Sequence, residues 1–171
     1  VIACPGARLC PFGCYDTTAF AQKMENVIFP NDRHVKVAFT GCSNDCAKVR
    51  MADFGIIGMT EPQYDPNRCV ACEQCIKYCK KRSVDALSLV NGKIVRDTKK
   101  CIGCGVCITY CPTRAWTRSK EHYFRLVILG RTGKRNPRLA EDFIKWCDEE
   151  SILKIAANRS EEHTSELQSL R

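Results

Sequence analysis

The sequence predicts an α+β protein in which one mixed domain is interrupted by a smaller, cysteine-rich segment. Three observations lead there. A capped helix and strand-like runs alternate over residues 1–62, and similar composition returns after Ala115. Between them lies Thr60–Arg68 (TEPQYDPNR), with two prolines and no periodicity, which reads as a linker. Beyond the linker the cysteines repeat at fixed spacing around a short hairpin. Residues 1–62 and 116–158 are therefore expected to form one domain and 63–115 the other.

The elements follow in order. Val1-Ile2-Ala3-Cys4 reads as the end of a strand, and Pro11-Phe12-Gly13 as a turn. Asp16-Thr17 supplies an N-cap for a helix running to about Asn26, with Phe20, Met24 and Val27 near one face. Phe29–Asp32 is a turn, and His34–Thr40 a strand that delivers Gly41-Cys42. A glycine there suits a sharp turn or a close backbone approach. Phe54–Met59 (FGIIGM) reads as a short buried strand. Leu87–Val95 alternates about Asn91-Gly92, a strong hairpin signal. Tyr123–Leu129 reads as a strand and Gly130–Lys134 as a basic glycine turn. Leu139 to about Ile155 reads as a helix with Phe143, Trp146, Cys147 and Leu153 on its apolar face. Cys14 and Cys147 are expected to be buried structural thiols, Trp116 a packing residue, and His34 and His122 surface residues. Residues 159–171 (from RSEEHTSELQS onward) correspond to the translation of a common sequencing-adapter oligonucleotide; they are expected to be an artefact, with the natural chain truncated at both ends.

Bulk composition excludes several classes. The chain has 171 residues, 14 cysteines and a formal charge of +8. The ten cysteines of the runs Cys42–Cys46, Cys69–Cys79 and Cys101–Cys111 sit at x2 or x3 intervals, too regular and crowded for a disulfide framework, and no signal peptide opens the chain. A reducing, cytoplasmic and anaerobic setting fits better. No apolar run approaches the ~20 residues of a membrane helix. The charge suits anionic partners, but no helix-turn-helix or aromatic-rich basic patch points to nucleic acid.

The chemistry lies in two cysteine constellations. Cys69-x2-Cys72-x2-Cys75-x3-Cys79 is followed by Cys101-x2-Cys104-x2-Cys107-x3-Cys111-Pro112. This is the bacterial two-cluster ferredoxin run, in which the fourth cysteine of each motif serves the other cluster. One [4Fe-4S] cubane is thus assigned Cys69, Cys72, Cys75 and Cys111, and the other Cys79, Cys101, Cys104 and Cys107. Lys80 stands where the first motif would carry proline. Gly103 and Gly105 let the backbone wrap the cluster. Upstream, Cys4-x5-Cys10 and Cys42-x3-Cys46 are separated by a helix and a strand, so the fold must bring them together. Four soft thiolates select iron–sulfur or zinc, and zinc sites usually pair cysteines at x2–4, which makes the x5 spacing less suited to zinc.

The words CPGARLC-PFG and TGCSNDCAKVRMADFGIIG resemble the sirohaem and [4Fe-4S] signature of sulfite and nitrite reductases, and most of all that of the anaerobic sulfite reductase type. That resemblance covers the chain to about residue 158. It implies a sirohaem-reductase half-domain interrupted by a ferredoxin-like domain, with three [4Fe-4S] clusters and one sirohaem. It makes Cys4, Cys10, Cys42 and Cys46 the ligands of the third cluster, with Cys46 bridging to the sirohaem iron and Asn44 near the sirohaem. It further implies six-electron reduction of sulfite to sulfide, fed by electron-donating protein subunits in a hetero-oligomer. The main substrate-binding cations of the family come from the half that precedes these cysteines. Arg8 and Lys48 are the foremost local anion contacts, ahead of Lys36 and Arg50, and each serves equally well as surface charge. Two alternatives stay open: a nitrite reductase with the same cofactors, and a ferredoxin-type electron-transfer module without catalysis, which needs only Cys69–Cys111. A structural zinc protein is a distant third.

Overall fold

A computed structural model describes residues 1–29, 35–133 and 135–158. The chain forms two compact units, Val1–Gly58 with the segment from His122 onward, and Met59–Glu121. His34, Lys134, most of the Phe29–Asp32 turn and the 159–171 tail lie outside the described residues.

The larger unit is built on a five-stranded sheet. Its strands are β1 (Ile2–Ala3), β2 (Val37–Thr40), β3 (Phe54–Met59), β8 (Tyr123–Ile128) and β9 (Glu141–Cys147), adjacent in that order. β1, β2 and β3 run parallel, with Ala3 opposite Phe39 and Thr40 opposite Ile57. All residues of β2 and β3 are buried, as parallel strands covered on both faces require. Helix α1 (Thr17–Ile28) is capped by Asp16, whose carboxylate accepts from the Thr18 and Ala19 amides. Its buried positions Thr17, Phe20, Ala21, Met24 and Ile28 follow the helical repeat. Phe20 and Met24 pack with Phe39, Phe124 and Tyr15, each fully buried side chain contributing roughly 1.5–3 kcal/mol.

The segment after Leu139 departs from the expected helix. Its first part is β9, paired antiparallel with β8 through a register irregularity, and the helix α4 occupies only 149–158. Phe143 is consequently 54% exposed and not on an apolar helix face. The helix begins where Asp148 caps it, its carboxylate accepting from the Ser151 amide and hydroxyl. Cys14 and Cys147 are buried and His122 is exposed.

The smaller unit contains β4 (Pro62–Tyr64), α2 (Gln74–Lys81), the hairpin β5 (Leu87–Val90) and β6 (Lys93–Arg96), α3 (Val106–Thr109) and β7 (Trp116–Arg118). Asn91 and Gly92 both have positive φ, as a two-residue hairpin turn demands. The stretch expected to be a linker is in part a strand, because β4 pairs with β7. Pro62 is tolerated there as the first residue of a two-stranded ribbon. Trp116 is buried on this ribbon against Tyr64.

One clamp fixes the turn that follows Cys46. Arg50 donates to the Ala140 carbonyl at 2.9 Å and to Asp142 at 2.6 Å, while Arg125 and Lys145 reach the same carboxylate at 3.5 and 3.3 Å. Burial alone would raise the Asp142 acid, but Arg50 and Arg125 outweigh it and hold it below the ordinary 3.8. A depressed acid contributes stability that is present above its unfolded value and lost as pH falls through the folded one. Asp142→Asn should therefore cost about 1 kcal/mol at neutral pH, discounted for partial exposure, and flatten the loss of stability below pH ~4, measured by urea denaturation across pH.

Candidate functional site

Strands β1 and β2 end side by side and release Cys4 and Gly41-Cys42 into one place. The Cys4 amide donates to the Phe39 carbonyl at 3.0 Å, and the Gly41 amide donates to the Cys4 sulfur at 3.1 Å. The Thr17 hydroxyl donates to the Cys4 carbonyl, tying the loop to the first turn of α1. Cys10 is held by its amide bond to the Gly6 carbonyl at 2.9 Å, and the Cys14 amide donates to the Gly41 carbonyl at 2.7 Å. Gly6, Gly13 and Gly41 pack against one another: a Cβ on Gly41 would lie 3.1 Å from Gly6 Cα and 3.3 Å from Gly13 Cα. Gly6 also has positive φ.

This unit brings the four predicted cysteines together. Burial pushes the Cys42 thiol up, the Asn44 amide draws it partly back, and Cys10, Cys46 and Cys4 are all near enough to act on it. Asn44 itself is exposed. Cys46 is exposed too, presented by a turn in which Asp45 has φ 50° and accepts from the Val49 amide at 2.8 Å. Of the local cations, Arg8 reaches Asp16 at 3.7 Å and Arg50 belongs to the β9 clamp. Lys48, with φ 52°, and Lys36 line a cavity of about 420 Å³ along β1, β2 and the 47–52 turn, otherwise walled largely by Val1, Ile2, Val35 and Val37.

The smaller unit sorts its eight cysteines into two sets. Cys69, Cys72, Cys75 and Cys111 line one cavity, with Trp116 beside them. Cys79, Cys101, Cys104 and Cys107 line another, with Arg96 beside them. The two motifs share one backbone plan: Ala71 and Glu73 in the first, and Gly103 and Gly105 in the second, all adopt positive φ. The first motif carries a conformational cost there that glycine spares the second, on the order of 1–2 kcal/mol per residue.

Amides and side chains converge on these sulfurs. The Ala86 amide donates to Cys79 at 3.4 Å and the Ala115 amide to Cys111 at 3.2 Å. Burial raises the Cys111 thiol, but the Thr113 hydroxyl and the Trp116, Ala115 and Thr113 amides outweigh it and leave it lowered. Burial raises Cys75, Cys104 and, most strongly, Cys107. The Trp116 indole N–H is buried outside hydrogen-bond geometry to any partner among the described residues, yet Cys75 is the sulfur that feels it, drawn part of the way back down. Sequence reasoning did not single out Arg96. It lies on β6 with Nη1 3.8 Å from Cys101 and Nη2 3.0 Å from Glu61. Among the described residues, no three Cys, His, Asp or Glu side chains close on a point as a single bare ion requires.

An all-thiol donor set, with backbone amides directed at sulfur and loops held in left-handed conformations around a cavity, fits an iron–sulfur cluster at each of the two ferredoxin-type sites. The amide on Cys4 and the glycine packing fit the same chemistry at the third.

The chain belongs to the family of nitrite and sulphite reductase 4Fe-4S domains, which it matches over residues 1–160. It is 42% identical over 158 residues to the C-subunit of the anaerobic sulfite reductase of Salmonella typhimurium, covering 92% of this chain and 47% of that protein. It is 34% identical over 86 residues to the coenzyme F420-dependent sulfite reductase of Methanocaldococcus jannaschii, covering 49% of this chain and 14% of that protein. The chain thus spans about half the length of the Salmonella relative and a smaller share of the archaeal one. The crystal structure of dissimilatory sulfite reductase I shares the fold, with a TM-score of 0.62 at 19% identity, over 85% of this chain and 40% of that one.

The glycine packing is testable. A Cβ on Gly13 would come within 2.4 Å of the Ala7 amide nitrogen, a backbone atom that cannot swing aside. Gly13→Ala should destabilise the larger unit by about 1–3 kcal/mol, read as a drop in thermal midpoint.

Proposed function

We propose that this chain is the cofactor-holding part of a sirohaem- and [4Fe-4S]-dependent reductase that converts sulfite to sulfide. The observation that carries the reading is the convergence of Cys4, Cys10, Cys42 and Cys46 at the ends of β1 and β2, none of which belongs to the two ferredoxin-type sets. A plain ferredoxin module has no use for that third set. The Salmonella relative, named as one subunit of a sulfite reductase, favours sulfite over nitrite and a multi-subunit assembly. Its name also favours an anaerobic setting, and no helix among the described residues is long and apolar enough to cross a membrane.

In this reading the twelve cysteines hold three cubanes, divided as the loops divide them. When bound, the clusters and sirohaem supply one-electron transfers and a coordination position for sulfite. The chain's own residues do the rest. The Gly41 amide offsets negative charge on the Cys4 sulfur, and the buried Cys42 keeps water from one side of the site. Cys46, which is exposed, is the thiol that would hold the sirohaem iron. Lys48 and Lys36 bring positive charge to a cavity otherwise lined by apolar side chains and Thr132, suited to a macrocycle with carboxylates. Arg8, exposed beside Asp16, is the anion contact more easily spared.

The test is anaerobic reconstitution of wild type and Cys46→Ala with iron, sulfide and sirohaem. The expected result is a sirohaem visible spectrum in wild type whose axial-ligand features change in Cys46→Ala, with the ferredoxin-type signals intact. A sirohaem spectrum indifferent to Cys46 would remove the bridge, and clusters only at Cys69–Cys111 would leave an electron-transfer module. Because burial raises Cys42, Cys75, Cys104 and Cys107, cluster assembly must expel thiol protons. Reconstitution yield should accordingly rise with pH between about 6 and 8.5, followed by cluster absorbance.

A further inference from the structure

The two ferredoxin-type sites differ in the charge of what faces their sulfurs. Around Cys69, Cys72, Cys75 and Cys111 the hydrogen-bonding groups close to sulfur among the described residues are neutral: the Ala115 amide donates to Cys111 and the Thr113 hydroxyl lies 3.6 Å from it, while Trp116 and the exposed Glu73 line the same cavity. Around Cys79, Cys101, Cys104 and Cys107 stand permanent cations: Arg82 is near enough to act on Cys104, and Arg96 acts on Cys101. Arg96 has only 15% of its side chain exposed, lines that cavity, and places Nη1 3.8 Å from the Cys101 sulfur. Its orientation is set by Glu61, whose carboxylate takes Nη2 at 3.0 Å and is itself 39% exposed. A guanidinium keeps its charge at every accessible pH.

We propose that Arg96 sets the reduction potential of the Cys79/Cys101/Cys104/Cys107 site above that of its neighbour, so that a transferred electron rests there. The proposal rests on the reading that both sites hold cubanes. One-electron reduction adds one negative charge to a site without making or breaking a ligand bond and without requiring a proton. The electron comes from a low-potential one-electron donor. A fixed cation beside the sulfur favours the more negative state, and the effect falls with distance and with solvent screening, so it acts most on the site it touches. Glu61 opposes the effect by offsetting Arg96. Arg96 is thus a positioning residue for charge, acting on the site through Cys101 and not through substrate.

The experiment is a redox titration of the full chain, reconstituted anaerobically with iron and sulfide, reduced stepwise with dithionite and followed by electron paramagnetic resonance. Iron and sulfide content is measured first: a wild type without cubanes at these sites overturns the ferredoxin reading and this inference with it. With cubanes present, Arg96→Gln should move one cluster midpoint to lower potential and leave the other in place. Arg96→Lys should restore most of that shift. Glu61→Gln should move the same midpoint upward, a reversal of sign that a merely structural role would not give. Unmoved midpoints in Arg96→Gln and Glu61→Gln, or equal shifts of both clusters, would overturn the proposal. Should Arg96→Gln fail to assemble, the sign of the Glu61→Gln shift decides alone.

Discussion

The parallel pairing of β1 with β2 is the constraint on which the larger unit's site depends. Its register sets Ala3 opposite Phe39, so the chains leave the sheet together and the Gly41 amide meets the Cys4 sulfur. A shift by one residue would turn the Cys4 side chain to the other face of the sheet. The three glycines at 6, 13 and 41 then let the loops close to backbone contact, which no side chain would permit. Helix α1 seals the arrangement from one side through Thr17, and the Arg50–Asp142 clamp steadies the turn that carries Cys46 and Lys48.

The smaller unit solves a similar problem by repetition. Each Cys-x2-Cys-x2-Cys loop makes two left-handed steps before a helix that carries the third cysteine, and the fourth cysteine is left facing the other loop's cavity. The repeat is geometric but not chemical. Glycines fill the left-handed positions of one motif, Ala71 and Glu73 those of the other, and among the described residues the charged Arg96 has no counterpart donating to a sulfur at the first site.

Much of this was legible in the sequence wherever a local rule governed. Asp16 as a cap, Asn91-Gly92 as a turn and the apolar run Phe54–Met59 each specify their element through nearby residues alone. The grouping of the ferredoxin-type cysteines followed from spacing. Tertiary pairing hid the rest. Phe143, Trp146 and Cys147 fall at helix-like intervals, yet β8 recruits the segment as an edge strand with an irregular register. The cap at Asp148, with Ser151 three residues on, was the local sign that the helix begins later. Thr60–Arg68 looked structureless because Pro62 disguises an edge strand whose partner lies more than fifty residues away. Arg96 sits in a hairpin that reads as ordinary solvent-facing alternation, and only the folded loops bring it to Cys101.

The central claim is that the ends of β1 and β2 build a third cubane site. Iron and acid-labile sulfide per chain, measured with Mössbauer spectroscopy on anaerobically reconstituted wild type and Cys42→Ala, test it directly. The account predicts three cubanes per chain in wild type and loss of one in Cys42→Ala, with the other two unchanged. Two cubanes in wild type and the same two in Cys42→Ala would contradict it.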